Sequence, residues 1–340
     1  MGVLRVGAIG LGWVSCARHL PSLLLNPDVR LEAVCDWDGG RAAAVARRFG
    51  VPSVFTSPER MLAQDLDLVC IGTPPWSHAD LSRLASTAGC HVFCEKPMAL
   101  NRSDAESMVG AARQANRLLC ISHNFLFSRS LAQADATLGG ATPVYVLGVQ
   151  LSSSTRRLPD WYEELPGGLL LDESPHLLYV LSHYCGSPLR LVSARANRGE
   201  RSRWPSSIEL LLQGSRAAGQ VTMVFDSPVS EWHVGVVTDS RVVGIDLFRD
   251  ICTAVGSDHR HRAVDIAKTS LKVMGDQATG YLRSGMRLAS KRQFWGHDVI
   301  ISRFVDACLG RGEVPIDLTE ATSIVALTDT IVDELGLQMV

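Results

Sequence analysis

Over residues 3–122, short apolar, β-branched runs alternate with longer amphipathic ones, and this rhythm constrains the fold more than any other feature of the chain. VLRVGAI, RLEAVC, LDLVCIG, CHVFC and LLCIS read as buried strands, with DGGRAAAVARRFG and NRSDAESMVGAARQA as helices between them. Strands and helices in alternation require right-handed crossovers, which predicts a doubly wound parallel sheet covered on both faces. Beyond residue 122 the rhythm changes. A helix near 127–138 leads to TPVYVLGVQLSSS, and LRLVSARAN, SSIELLLQG, RAAGQVTMVFD, EWHVGVVTD and RVVGIDLF then follow one another across short turns. That pattern predicts hairpins in a largely antiparallel sheet. A length of 340 residues exceeds one ordinary core, so the expectation is an α/β chain of two domains. These are a doubly wound domain over 1–122 and an α+β domain over 123–340.

A formal net charge of −2 gives no electrostatic footprint for nucleic acid, which points to a small-molecule ligand. No run reaches the roughly 18 to 20 apolar residues that would cross a bilayer, so no transmembrane segment is expected and a cytoplasmic location is. Nine cysteines, an odd number scattered through apolar runs, suit reduced thiols better than a disulfide framework. Residues 261–293 form a long amphipathic helical stretch, basic toward its end, expected to pack on its own sheet with a solvated basic face, a membrane surface or a partner being the alternative.

Three motifs carry chemistry. In GAIGLGWVS, Gly10 and Gly12 with Trp13 and Val14 join the first strand to a helix, where a tight turn lets backbone N–H groups approach a pyrophosphate. Ser15 stands where a third glycine is usual. Asp36, closing the second strand, is placed to accept hydrogen bonds from an adenosine ribose, which favours NAD(H); Arg41 nearby leaves NADP(H) open. In IGTPPWSH, Thr73 and Pro74 end a strand at its ligand-facing carboxyl end, and His78 is counted with them among the cofactor contacts. In CEKPMAL, Glu95 and Lys96 put charge where a buried strand ends; such a lysine can donate to an oxygen as negative charge develops on it. A local ion pair at the sheet edge is the structural alternative.

GGLLLDESPH places Asp172 and His176 four residues apart with Pro175 between them. Because proline suits a first helical turn, Asp172 or Ser174 is expected to cap a helix that Pro175 begins. His259 and His261 in DHRHR lack further ligands at a convincing spacing, and no metal site is expected.

In this order, GAIGLGWVS, IGTPPWSH, CEKPMAL and GGLLLDESPH resemble the Gfo/Idh/MocA oxidoreductases. The resemblance implies an N-terminal Rossmann domain, a C-terminal domain with an open antiparallel sheet, a nicotinamide cofactor, and oxidation or reduction of sugars, sugar nucleotides or cyclitols at a secondary carbon. It implies that Lys96 works near nicotinamide and substrate, that His176 handles the proton, and that Asp172 is their neighbouring carboxylate. It adds Asn124 and Arg129 as substrate contacts and a homodimer or homotetramer through the C-terminal sheet. The chain departs from the family's Asp-x-Gly-x-His-x-x-Asp at Ser174 and at Tyr179, the latter standing where a substrate-binding aspartate is usual. An imine or ketone reductase on the same scaffold, and a non-catalytic NAD-binding regulator, are the alternative readings.

Overall fold

The computed structural model describes residues 2–153, 155–156, 160–199, 203–258 and 262–337; His259 and His261 lie outside them. The chain divides into two compact units, residues 1–124 with 296–326, and residues 125–295 with 327–340.

The first unit is a six-stranded sheet ordered β3-β2-β1-β4-β5-β6, every pair parallel. Its strands are β1 (Leu4–Ile9), β2 (Val29–Cys35), β3 (Ser53–Phe55), β4 (Leu68–Ile71), β5 (His91–Cys94) and β6 (Leu119–Ile121). The order reverses at β1, so the carboxyl ends of β1 and β4 open the crevice in which open α/β sheets bind ligands. Helices α1 (Leu20–Leu24), α2 (Gly39–Phe49), α3 (Pro58–Leu62), α4 (His78–Thr87) and α5 (Arg102–Gln114) supply the crossovers. The fully apolar burial of β4 fits a strand covered on both faces. The predicted doubly wound sheet is present. Its one unforeseen strand is β3, whose three residues are too few to show a period.

Residues 296–326, assigned on sequence to the second domain, belong to the first unit. Helix α9 (His297–Cys308) buries Ile300, Ile301 and Phe304, with the Phe304 ring 6.1 Å from that of Phe93 on β5. An amphipathic helix carries no signal of which distant core will receive its apolar stripe.

The second unit is a seven-stranded sheet ordered β13-β12-β11-β7-β10-β9-β8. It comprises β7 (Tyr145–Ser153), β8 (Arg190–Arg198), β9 (Pro205–Gln213), β10 (Ala218–Ser227), β11 (Glu231–Val237), β12 (Arg241–Asp246) and β13 (Ile251–Gly256). The pairing is antiparallel except between β7 and β10, which fits the largely antiparallel expectation. Helix α6 (Arg129–Leu138) precedes the sheet in the chain, and α7 (Leu169–Cys185) buries itself against one face of it, where Gly148 and Gly219 admit Leu181. The opposite face exposes Leu147, Val149 and Val242. Helix α8 (Ala263–Ala289) lies along the edge strand β13; α10 (Leu318–Glu334) is shared between the units.

Two expectations need correction. Helix α7 does not begin at Pro175 but at Leu169, with Gly168 as its N-cap and no side-chain cap, so Pro175 sits inside the helix. The start is fixed by Gly168, whose φ is +58° and whose Cβ would collide with the Trp204 ring, a place only glycine can fill. Helix α8 packs on its own sheet beside β13 with most of its basic side chains exposed, but its inward stripe is not its apolar one, and many of its large apolar side chains are themselves exposed.

Candidate active site

The glycine loop is held from two directions. Gly10 has φ +80°, and a Cβ there would lie 2.7 Å from the Thr73 backbone nitrogen, so the close approach of this loop to the end of β4 requires glycine. A Cβ on Gly12 would meet nothing within 4 Å, leaving open space above the loop. Ser15 tolerates the third glycine position because its hydroxyl turns back to donate to Gly10 O at 2.6 Å, packing where Gly72 leaves room for it. Trp13 is half-exposed beneath the Arg18 guanidinium, 4.9 Å from its ring centroid, and Val14 begins the turn into the following helix.

Asp36 is 4% exposed and already engaged by protein: Oδ2 accepts from Leu11 N–H at 2.8 Å and Oδ1 from Asp38 N–H at 3.0 Å. It does not cap α2; Asp38 does, through Arg41 N–H. Arg41 sits 3.4 Å from Asp36 Oδ1 and is half-exposed.

Lys96 follows directly on a buried network. Glu95 Oε1 accepts from His19 Nε2 at 2.8 Å and lies 3.6 Å from His297 Nε2, while Oε2 accepts from Lys96 N–H at 3.0 Å. Burial pushes the Glu95 carboxyl up, but the hydrogen bonds and charge of the two histidines outweigh it and hold the group well below the usual carboxylate range. Neither His19 nor His297 is signalled by the sequence, because only the fold brings them to the EKP motif. The His19–Glu95 separation of 2.8 Å is hydrogen-bond length, tighter than the roughly 3.3 Å between ligands of a tetrahedral ion bonded at about 2.0 Å. A second trio, Glu231, His233 and Asp246, has its carboxylates bridged by the Arg249 guanidinium. His78 has no exposed surface: its ring nitrogens lie 2.8 Å from Pro97 O and 2.9 Å from Thr73 O, strapping together the ends of β4 and β5. Pro74 precedes a short helical turn, and the Thr73 hydroxyl accepts from Ser77 at 2.7 Å. His123 and Asn124, where the first unit ends, are both buried.

In the second unit, His176 is 9% exposed and ringed by aromatics, with Phe125 at 5.0 Å, Trp232 at 5.2 Å and Tyr179 at 5.7 Å between centroids. Its Nδ1 lies 2.8 Å from the Tyr179 hydroxyl, and that oxygen accepts from the Phe125 N–H at 3.2 Å. Tyr179, expected among the substrate contacts, is 0% exposed and turned onto the histidine. A phenol reaches a ring one helical turn away that an aspartate would leave to solvent or ligand. Asp172 is partly exposed on the first turn of α7. The next residue, Glu173, is buried, paired with Arg156 and accepting from Gln150 Nε2 at 2.6 Å and Ser152 Oγ at 2.7 Å. That buried network was not foreseen from the sequence. Arg129 is exposed at the start of α6.

Residues 4–123 match the family described as "Oxidoreductase family, NAD-binding Rossmann fold". D-glucoside 3-dehydrogenase of Escherichia coli (strain K12) is 33% identical over 195 residues, 54% of this chain and 55% of that protein. D-xylose 1-dehydrogenase (NADP(+)) 2 of Haloferax volcanii is 26% identical over 246 residues, 70% of this chain and 75% of that protein. The first of these alignments thus spans about half of the relative's length. The crystal structure of GenD2 from gentamicin A biosynthesis in complex with NAD superimposes with a TM-score of 0.80 at 20% identity, covering 99% of this chain and 95% of that one. The strand order, the glycine loop and the EKP motif all fall in the first unit, whose residues 4–123 are the stretch that matches this NAD-binding Rossmann oxidoreductase family.

Proposed function

We propose that the protein is a nicotinamide-dependent oxidoreductase that interconverts a secondary alcohol and a ketone on a sugar, sugar nucleotide or cyclitol. The open space over Gly12 and the loop N–H groups beside it fit a dinucleotide pyrophosphate. Gly10, Gly12, Trp13, Val14, Thr73 and Pro74 would line its site, with Asp36 toward the ribose. When bound, the nicotinamide supplies the hydride chemistry. Asp36 supports NAD(H), and the half-exposed Arg41 beside it leaves NADP(H) usable.

The observation that carries the reading is His176, an imidazole whose Nδ1 lies 2.8 Å from the Tyr179 hydroxyl and whose ring is held among Phe125, Trp232 and Tyr179, a fixed group suited to take or return a hydroxyl proton. Lys96, its backbone pinned by Glu95, would stabilise charge developing on the substrate oxygen, and Asp172 would orient the proton relay. Asn124 and Arg129 are proposed substrate contacts; Glu95 and His78 act in this reading by shaping the loops that carry Lys96 and Thr73. A cytoplasmic location and a homo-oligomer are part of the same reading, the latter supported by the exposed Leu147, Val149 and Val242 on the open sheet face. The absence of a carboxylate at Tyr179 favours, as a second reading, a ketone substrate with fewer hydroxyls than a typical polyol.

The test is a screen of hexoses, uronic acids, cyclitols and sugar nucleotides, following NADH absorbance in both directions. His176→Ala should reduce turnover by about 100- to 10,000-fold while NADH still binds by fluorescence titration. Unchanged turnover would remove His176 from the chemistry.

A further inference from the structure

Helix α8 is packed the opposite way from most helices on a domain surface. Its inward stripe is Asp265, Thr269, Val273, Asp276, Gly280 and Ser284, spaced 4, 4, 3, 4 and 4 residues apart, and it is mostly small or polar. The edge strand explains this. Asp276 accepts from the unpaired Ala254 N–H of β13 at 3.4 Å, and Gly280 lies so close to Ile251 that a Cβ there would collide with it. Small and polar groups are what a helix needs to cover a strand edge closely. The consequence appears on the far side, where Val264, Leu271, Met274, Tyr281, Leu282 and Met286 are between 49% and 66% exposed. Cβ atoms on Gly275 and Gly285 would likewise meet nothing within 4 Å.

Charge is sorted in the same way. The carboxylates of the helix, Asp265 and Asp276, both lie on the inward stripe. Lys268 and Arg283 are exposed, Lys272 is exposed but paired with Asp276 at 2.6 Å, and Lys291 and Arg292 follow just past the helix end. Two copies meeting through this face would bring Lys268 and Arg283 of each together, since the two carboxylates of α8 are turned inward and already paired with Arg262 and Lys272, whereas an anionic surface supplies the missing charge. We propose that α8 is a peripheral membrane anchor that lies in the plane of an anionic phospholipid surface, its apolar side among the acyl chains and its lysines and arginines at the phosphates. The helix, about 40 Å long at 1.5 Å per residue, would lie flat, and no helix among the described residues is long and apolar enough to cross a bilayer. The proposal is independent of the reaction and of which sugar is its substrate.

The test is flotation of the full chain with vesicles of phosphatidylcholine alone or mixed with phosphatidylglycerol, at low and high salt. Binding is expected only with phosphatidylglycerol and should weaken with salt. Lys268→Glu with Arg283→Glu should weaken it at least about 25-fold, at about fivefold for each cation removed from the surface. Leu271→Asp with Leu282→Asp should abolish it, and because all four positions are exposed, far-UV circular dichroism should match the parent. If the Leu variant fails to fold, the charge variant and the lipid and salt dependence still decide. No binding to phosphatidylglycerol vesicles at low salt would overturn the proposal, as would binding indifferent to the charge reversal. A native mass showing an oligomer that the Leu variant dissociates, without vesicle uptake, would assign the face to a second copy instead.

Discussion

The Tyr179 hydroxyl takes the Phe125 N–H and faces His176 Nδ1, so a single oxygen both satisfies a buried backbone donor and orients a ring. Tyr179→Phe removes both functions. The buried amide loses its partner, at about 1–3 kcal/mol of stability, measurable by urea unfolding. The imidazole loses the contact that selects its tautomer, so kcat should fall about tenfold or more with KM little changed. Nitrogen chemical shifts of selectively labelled histidine should register the altered tautomer in the protein without substrate. A purely structural tyrosine would leave those shifts and the pH profile of kcat where they were. The sequence makes His176 conspicuous through its motif. It does not reveal the phenol's direction, because Tyr179 reads equally well as a core residue or as a replacement for a ligand-binding carboxylate.

At the scale of elements, the start of α7 decides where Asp172 and His176 stand. Gly168 combines a left-handed φ with contact against Trp204, so Gly168→Ala should destabilise the second unit by about 1–3 kcal/mol and lower its melting temperature. Apart from β3 and β13, the strands of both sheets were legible because their apolar runs are bounded by turn residues, and β1 with its glycine loop could be placed almost to the residue. What stayed hidden follows from the reach of local signals. The proline before His176 suggested a helix start because proline favours first turns. The actual start is set by the tight contact of Gly168 with Trp204, which no local pattern announces. Edge strand β13, short and covered by a helix with a polar inner stripe, lacks the alternation that marks β7 or β10. The partners of Glu95 were invisible for a similar reason, since His19 and His297 lie at opposite ends of the chain.

For the molecule as a whole, buried ionisable groups predict acid sensitivity. Burial lowers the pKa of His123 from 6.5 to about 3, so it remains neutral in the folded state while the unfolded chain takes up a proton there. Its contribution to stability is therefore complete above about pH 6.5 and declines as pH falls toward 3. Glu95 has the same sign in a lower window: its depressed carboxyl contributes above its ordinary value of 4.5 and is lost as pH drops through its folded pKa. Unfolding free energies from urea titrations between about pH 8 and 4 should decrease steadily on acidification, and His123→Gln should flatten the upper part of that slope. The division of the chain adds a constraint of timing. The first unit needs residues 296–326, and the second needs 327–340. During synthesis the nascent glycine loop and β-strands must therefore wait, without α9, while the whole of the second sheet is made. A ribosome stalled before residue 296 would hold a Rossmann sheet whose Glu95 still lacks one of its two histidines.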